Sequence, residues 1–250
     1  MTITIAVAGK SGSGKTAFTR AIYKALHRRY PDKSILMVDN SLGCDLAEMF
    51  GLDVKHTIHS IRTGQYKYNV PGAEYMKKNE YVECSLYEII INLDNEVDML
   101  VSGPVFTEEC TCITAKYIKD AMRKLIKTYD LVIFDCEYDL SYVNQLVVYY
   151  PDITLVLAQP TLASLRSAVK IKDASLKYAI PGQIGIILNK VRGEIPENIK
   201  AVITEYDLDI LEVFKYEEDL EAENITGESD ALAQLTQELL FRLDLPFWGE

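Results

Sequence analysis

Apolar residues along this chain follow two alternating rhythms. Short, nearly continuous β-branched runs occur at 2–8 (TITIAVA), 34–39 (SILMVD), 97–103 (VDMLVSG), 130–135 (DLVIFD), 153–158 (ITLVLA) and 183–189 (QIGIILN). Runs apolar at nearly every position, rather than at every second one, predict strands covered on both faces. Between them, 15–30 carries Phe18, Ile22, Ala25 and Leu26 at three- and four-residue spacing, which predicts an amphipathic helix. Further helices are predicted at about 112–128, 161–178, 196–205 and 229–241, and 207–214 reads as an edge or terminal strand. Strands alternating with helices of this length predict an α/β fold, a single domain with a mostly parallel, helix-covered sheet. The stretch 53–93 breaks the rhythm with tyrosine, glycine and charge. It reads as an irregular, insertion-like region within the one domain, its tyrosines either half-packed or presented to a partner.

Composition changes this picture little. A chain of 250 residues can bury one substantial core, and 48% hydrophobic with 25% charged residues is ordinary for a water-soluble domain. The net charge of -11, with no basic block, argues against a nucleic-acid or anionic-membrane surface. No apolar run reaches the length of a membrane span, and the first strand lacks the basic flank of a signal peptide. Five cysteines, an odd number in a long chain, fit a reducing compartment, so a cytoplasmic location is expected.

The candidate chemistry begins at GKSGSGKT (9–16), which fits G-x-x-x-x-G-K-[ST] and sits between the first strand and the first helix. Gly9, Gly12 and Gly14 allow the backbone to wrap closely round a phosphate, with Ser13 and Ala17 completing the cradle. Lys15 is placed to contact the β and γ phosphates of ATP or ADP, and Thr16 to ligate Mg²⁺. The α/β pattern is thereby sharpened to a P-loop NTPase domain. Asp39 and Asp135 each end a strand, where a carboxylate can orient the metal or its waters. Asn189 ends the strand GIILN, where its amide could read an adenine edge, with 214–219 (FKYEED) as the later loop beside the base.

Lys10, directly after the first glycine, is not needed to cradle phosphate. With Lys15 it makes the loop resemble that of the deviant Walker-A ATPases, the group of MinD, ParA and the nitrogenase iron protein, whose loop reads roughly G-K-G-G-x-G-K-T. Ser11 stands where a second glycine is common. The resemblance implies a homodimer with nucleotide sandwiched between subunits and Lys10 crossing to the partner's phosphates. A positive charge delivered in trans can stabilise a transferring phosphoryl group as an arginine finger does. The family's D-x-D at strand 2 becomes Asp39-Asn40-Ser41 here, with Asp45 at the later acidic position. Loss of the second carboxylate implies slow hydrolysis, or its transfer to Asp39 or Asp45.

Two cysteines, Cys110 and Cys112, follow the strand at 97–103. A C-x-C offers two thiolates, and a two-fold dimer would supply four, a set suited to Zn²⁺ or Ni²⁺. Packing and a redox dithiol are the other readings of the pair. Within the deviant Walker-A class, a C-x-C at this place resembles the nickel-insertion ATPases. That resemblance implies a metallochaperone loading a client such as carbon monoxide dehydrogenase or acetyl-CoA synthase, coupled to ATP binding and hydrolysis. An iron–sulfur cluster carrier or reductase component and a partitioning or positioning ATPase are the alternatives on the same fold. The C-terminal run LAQLTQELLFRLDLPFWGE has few basic residues to reach membrane or DNA.

Overall fold

The structure is a computed structural model that describes residues 2–41, 43–94, 96–103, 113–136, 151–216 and Thr236. In chain order its elements begin with β1 (Ile3–Gly9), α1 (Lys15–Arg29), β2 (Ile35–Asn40), α2 (Asp45–Met49) and α3 (Ile58–Thr63). Then follow α4 (Lys78–Glu88), β3 (Ile91–Asp94), β4 (Val97–Val101), α5 (Ile113–Ile126), β5 (Leu131–Cys136) and β6 (Ile153–Ala158). The described part closes with α6 (Leu162–Ala174), β7 (Gln183–Val191), α7 (Glu197–Glu205) and β8 (Ile210–Lys215).

These strands form one sheet in the order β3-β4-β2-β5-β1-β6-β7-β8. Every neighbouring pair is parallel except β3 with β4. The α/β, helix-covered, mostly parallel P-loop architecture is therefore as expected. Successive strand residues point to opposite faces. On β1, Ile3, Ile5 and Val7 meet the apolar stripe of α1, made of Phe18, Ile22, Ala25 and Leu26. Ala6 and Ala8 face the other core layer, to which α3, α4, α5 and α6 contribute. Both layers are almost fully enclosed, which is why the strand sequences show no polar alternation.

Two features were not legible in the apolar pattern. β3 is a four-residue strand at the end of the tyrosine-rich stretch, too short to show a period, and it pairs antiparallel at the sheet edge. Within that stretch α3 opens with a reciprocal cap, Thr57 with Ser60, and α4 lies along α5. The helix expected at 161–178 ends at Ala174 and continues as one wide turn, Ser175–Ala179, closed by the Ile180 amide on the Ser175 carbonyl at 2.8 Å. The helix expected at 229–241 lies outside the described residues apart from buried Thr236.

Phe18 anchors α1 to the sheet. It is 1% exposed and meets Phe214 of β8 edge-on, with ring centroids 5.7 Å apart. Phe18→Ala should destabilise the fold by about 3–5 kcal/mol through lost burial and the cavity left behind. The urea unfolding midpoint measures this; a change under about 1 kcal/mol would mean the layer repacks freely.

Candidate nucleotide site

Chain direction brings the carboxyl ends of β1, β2, β5, β6 and β7 to one edge of the sheet. Open α/β sheets bind ligands at this edge, where strand order reverses. β1 reaches it between β5 and β6 and gives way to the loop at 9–14.

Two glycines are required there by geometry. Gly9 has φ +151°, and a Cβ on it would collide with the Leu157 carbonyl of β6. Gly14 caps α1 with φ +95°, and a Cβ on it would lie 2.6 Å from the Asn189 side-chain nitrogen. The loop closes on itself through the Ser13 amide, which donates to the Lys10 carbonyl at 3.0 Å, and the helix begins with the Phe18 amide on the Gly14 carbonyl at 2.9 Å. No acidic residue occupies the first turn of α1, so the positive end of the helix is left for an anion.

Asp135 lies at the base of this loop. It is 1% exposed; the Thr19 hydroxyl donates to its Oδ1 at 3.3 Å, and Thr16 lies beside it. Its Oδ2 is buried with no hydrogen-bond partner among the described residues. Burial pushes its carboxyl up to about 7, and nearby Asp39 adds to this, against the threonine hydrogen bonds and the Lys15 charge. A buried, half-unpaired carboxylate beside a P-loop threonine suits Mg²⁺ held directly or through water.

Asp39, expected to orient the metal or its waters or to share the missing carboxylate's role with Asp45, lies near the end of β2 with its side chain enclosed. It is fully buried and accepts from the Ser41 amide at 2.9 Å, the Ser41 hydroxyl at 2.6 Å and the Ala47 amide at 3.0 Å. Burial nonetheless raises its carboxyl above the ordinary range. Ser41 in turn accepts from the Asp45 amide at 2.7 Å. The side chain that replaces a second aspartate thus ties Asp39 to the start of α2, and Asp45 is exposed at that start. Next to Asp39, the Asn40 side-chain oxygen Oδ1 accepts from the Ser102 hydroxyl, and its buried side-chain nitrogen Nδ2 has no partner among the described residues.

Asn189, expected to read an adenine edge, lies beside the loop with both ends of its amide engaged. Its nitrogen donates to the Ser13 carbonyl at 2.9 Å, and its oxygen accepts from the Lys190 amide at 2.9 Å. Sequence reading foresaw neither this contact nor a second one, from Gln159 to the Gly12 carbonyl at 3.0 Å. Nothing in the sequence links position 159 to the loop; only the register of β6 against β1 does. Lys10 stands half-exposed at the mouth of the loop.

A family model described as "AAA domain" matches residues 1–174. This chain belongs to that AAA domain family. A curated relative, "Uncharacterized ATP-binding protein MJ0685" of Methanocaldococcus jannaschii, is 28% identical over 228 residues, covering 89% of this chain and 88% of its own. The septum site-determining protein MinD of Pyrococcus horikoshii OT3, solved with Mg-ADP, superimposes with TM-score 0.68 at 20% identity, over 100% of this chain and 98% of its own. A ParA family ATPase of Chlorobium tepidum TLS superimposes with TM-score 0.66 at 20% identity, over 96% and 94% of the two chains. The fold of this AAA domain is the P-loop α/β fold seen in those MinD and ParA-family structures.

These matches correct the metallochaperone reading. The fold is shared end to end with septum-site and partition proteins, and neither nickel nor a carbon monoxide dehydrogenase or acetyl-CoA synthase client has support. The loop and Lys10 answer to phosphate charge alone, so they never distinguished nickel insertion from positioning; Cys110 and Cys112 carried that step, and both lie outside the described residues. Among the described residues no group of three or more His, Cys, Asp or Glu is arranged to hold Ni²⁺ or Zn²⁺. Cys136 is buried in the core, where burial pushes its thiol well up, so it is no ready thiolate for an iron–sulfur cluster. No helix among the described residues is long and apolar enough to cross a membrane.

The Asp135 carboxyl gives a pH prediction for the nucleotide- and metal-free protein. Its folded value of about 7 lies above the ordinary 3.8, so the folded state holds a proton that the unfolded state releases. That contribution to stability is complete below about pH 4 and is lost as pH rises towards 7. Urea midpoints in a chelator should fall between about pH 5 and pH 8 in the wild type, and Asp135→Asn should flatten the decline. Equal slopes for the two proteins would remove Asp135 as the cause.

Proposed function

We propose that this chain is a nucleotide-switched positioning or partitioning ATPase of the MinD and ParA kind, working as a homodimer with ATP between its subunits. The observation that carries this reading is a two-lysine P-loop, Lys10 and Lys15, at the switch-point edge of a sheet that matches those proteins along their whole length. The Pyrococcus horikoshii relative binds Mg-ADP, which supports the same nucleotide and metal here.

In this reading the backbone of Gly12, Ser13, Gly14, Lys15, Thr16 and Ala17 holds the phosphates, with Gly9 permitting the approach. The Thr16 hydroxyl and the unpaired oxygen of Asp135 hold Mg²⁺. The metal, when bound, supplies charge stabilisation to the β and γ phosphates and keeps Asp135 ionised. Lys15 offsets phosphate charge within its own subunit. Lys10, at the mouth of the loop, serves the partner's nucleotide, so the site is complete only in the dimer.

Asp39 holds the turn before α2 through Ser41 and Ala47, placing exposed Asp45 at the front of that helix. With Ser41 in place of a carboxylate, the attacking water has no strong base beside it and turnover is slow. A slow step suits a switch, whose output is the lifetime of the ATP-bound dimer rather than product.

Light scattering with ADP and with a non-hydrolysable ATP analogue tests this directly. The analogue should give a dimer and ADP a monomer. Lys10→Ala should still bind ATP while losing the dimer and at least about tenfold of the hydrolysis rate. Lys15→Ala should lose nucleotide binding itself. A mass that ignores nucleotide, or a Lys10→Ala protein that turns over normally, overturns the proposal.

A further inference from the structure

The structure assigns Asn189 and Gln159 one shared role. Their side-chain amides are positioning groups that fix the phosphate loop in its anion-accepting shape before nucleotide arrives. This rests on the nucleotide-binding reading and adds two residues to it.

The two amides reach the loop from adjacent strands, Gln159 from the turn after β6 and Asn189 from near the end of β7. They donate to consecutive carbonyls, Gly12 at 3.0 Å and Ser13 at 2.9 Å. A trans peptide is planar, with its C=O and N–H directed opposite ways. Drawing the Ser13 carbonyl towards Asn189 therefore turns the Gly14 N–H away from it. Drawing the Gly12 carbonyl towards Gln159 likewise turns the Ser13 N–H back, and that N–H closes the loop on the Lys10 carbonyl at 3.0 Å. Carbonyl oxygens facing a phosphate would repel it; the tethers hold these two oxygens on the far side.

Each tether is itself held. The main-chain amide of Gln159 donates to the Ser164 hydroxyl at 2.9 Å, and its carbonyl accepts from the Thr161 amide at 2.7 Å, which locks the residue to the start of α6. The Asn189 oxygen accepts from the Lys190 amide at 2.9 Å, which fixes which end of the Asn189 amide faces the loop. A Cβ at position 14 would meet the Asn189 amide nitrogen, at a backbone φ of +95° that already calls for glycine.

Tethering is separable from reading the base. A base reader discriminates between ATP and GTP and has no effect on a ligand without a base. A tether acts on every ligand that carries the phosphate chain. The experiment measures binding of Mg-ATP, Mg-GTP and Mg-tripolyphosphate by calorimetry, and steady-state ATP hydrolysis, for wild type, Gln159→Met and Asn189→Ala. Gln159 is partly exposed, so Gln159→Met keeps size without straining the core.

The expected result is an affinity loss of about three- to thirtyfold for all three ligands in each variant, the size of one lost hydrogen bond. KM for ATP should rise by a similar factor while kcat stays within about twofold, because the lost preorganisation is restored on binding. Thermal midpoints close to wild type would accompany this. The inference is overturned if tripolyphosphate binding is unchanged while ATP binding falls, which would make Asn189 a base reader, or if all three ligands bind the variants as they bind the wild type. Failure of the wild type to bind any of the three would instead strike the nucleotide reading itself.

Discussion

The point on which the site depends is the absence of one side chain. Gly9 ends β1 where the Leu157 carbonyl of β6 occupies the space a Cβ would need. The central strand can therefore remain hydrogen-bonded to β6 up to Gly9 and still turn at once into the loop. A larger residue would push β1 from β6 and move the loop away from the strand ends that furnish Asp135, Gln159 and Asn189. The sheet order that puts β1 between β5 and β6 makes this contact, and the contact sets the distance of everything else from the phosphate cradle.

Around that cradle, charge is managed by burial rather than by abundance. A chain with net charge -11 presents an anion-binding loop because the acidic groups nearest to it are enclosed and hydrogen-bonded. Asp39 is consumed by Ser41 and Ala47, and Asp135 is kept from ionising freely until something fills the place beside Oδ2. The same enclosure that makes the Asp135 carboxylate costly makes it a strong partner for a divalent cation. The substitution at 41 has a similar double effect. It removes a carboxylate from the front of the site and adds a hydroxyl that ties β2 to α2.

The expectation of nickel insertion illustrates how a short motif can outrun its context. The loop answers to phosphate and the early lysine resembles one that serves a second subunit, and neither says which task the fold performs. A cysteine pair selected one branch, on two residues and no geometry. End-to-end similarity to the MinD and ParA-family structures uses the whole chain and lends that branch no support. The tyrosine-rich stretch shows the same limit in structural terms. Its helices pack against α5 and its four-residue edge strand extends the sheet beside β4, although no period in the sequence announces them.

Strands buried on both faces and the stripe of α1 were legible because burial demands apolar residues at particular intervals, and so was the loop, because phosphate demands glycine and lysine at fixed spacing. Gly9, Lys15, Thr16 and Asp135 follow from those local demands. Which residues meet across the sheet was not legible. Gln159 and Asn189 lie 147 and 176 positions from the carbonyls they hold, and only the register of β6 and β7 against β1 brings them there. Hydrogen-bonding groups carry no label for distant partners. Local chemistry therefore determined the glycine and lysine spacing of a P-loop, while tertiary structure decided which side-chain amides meet it.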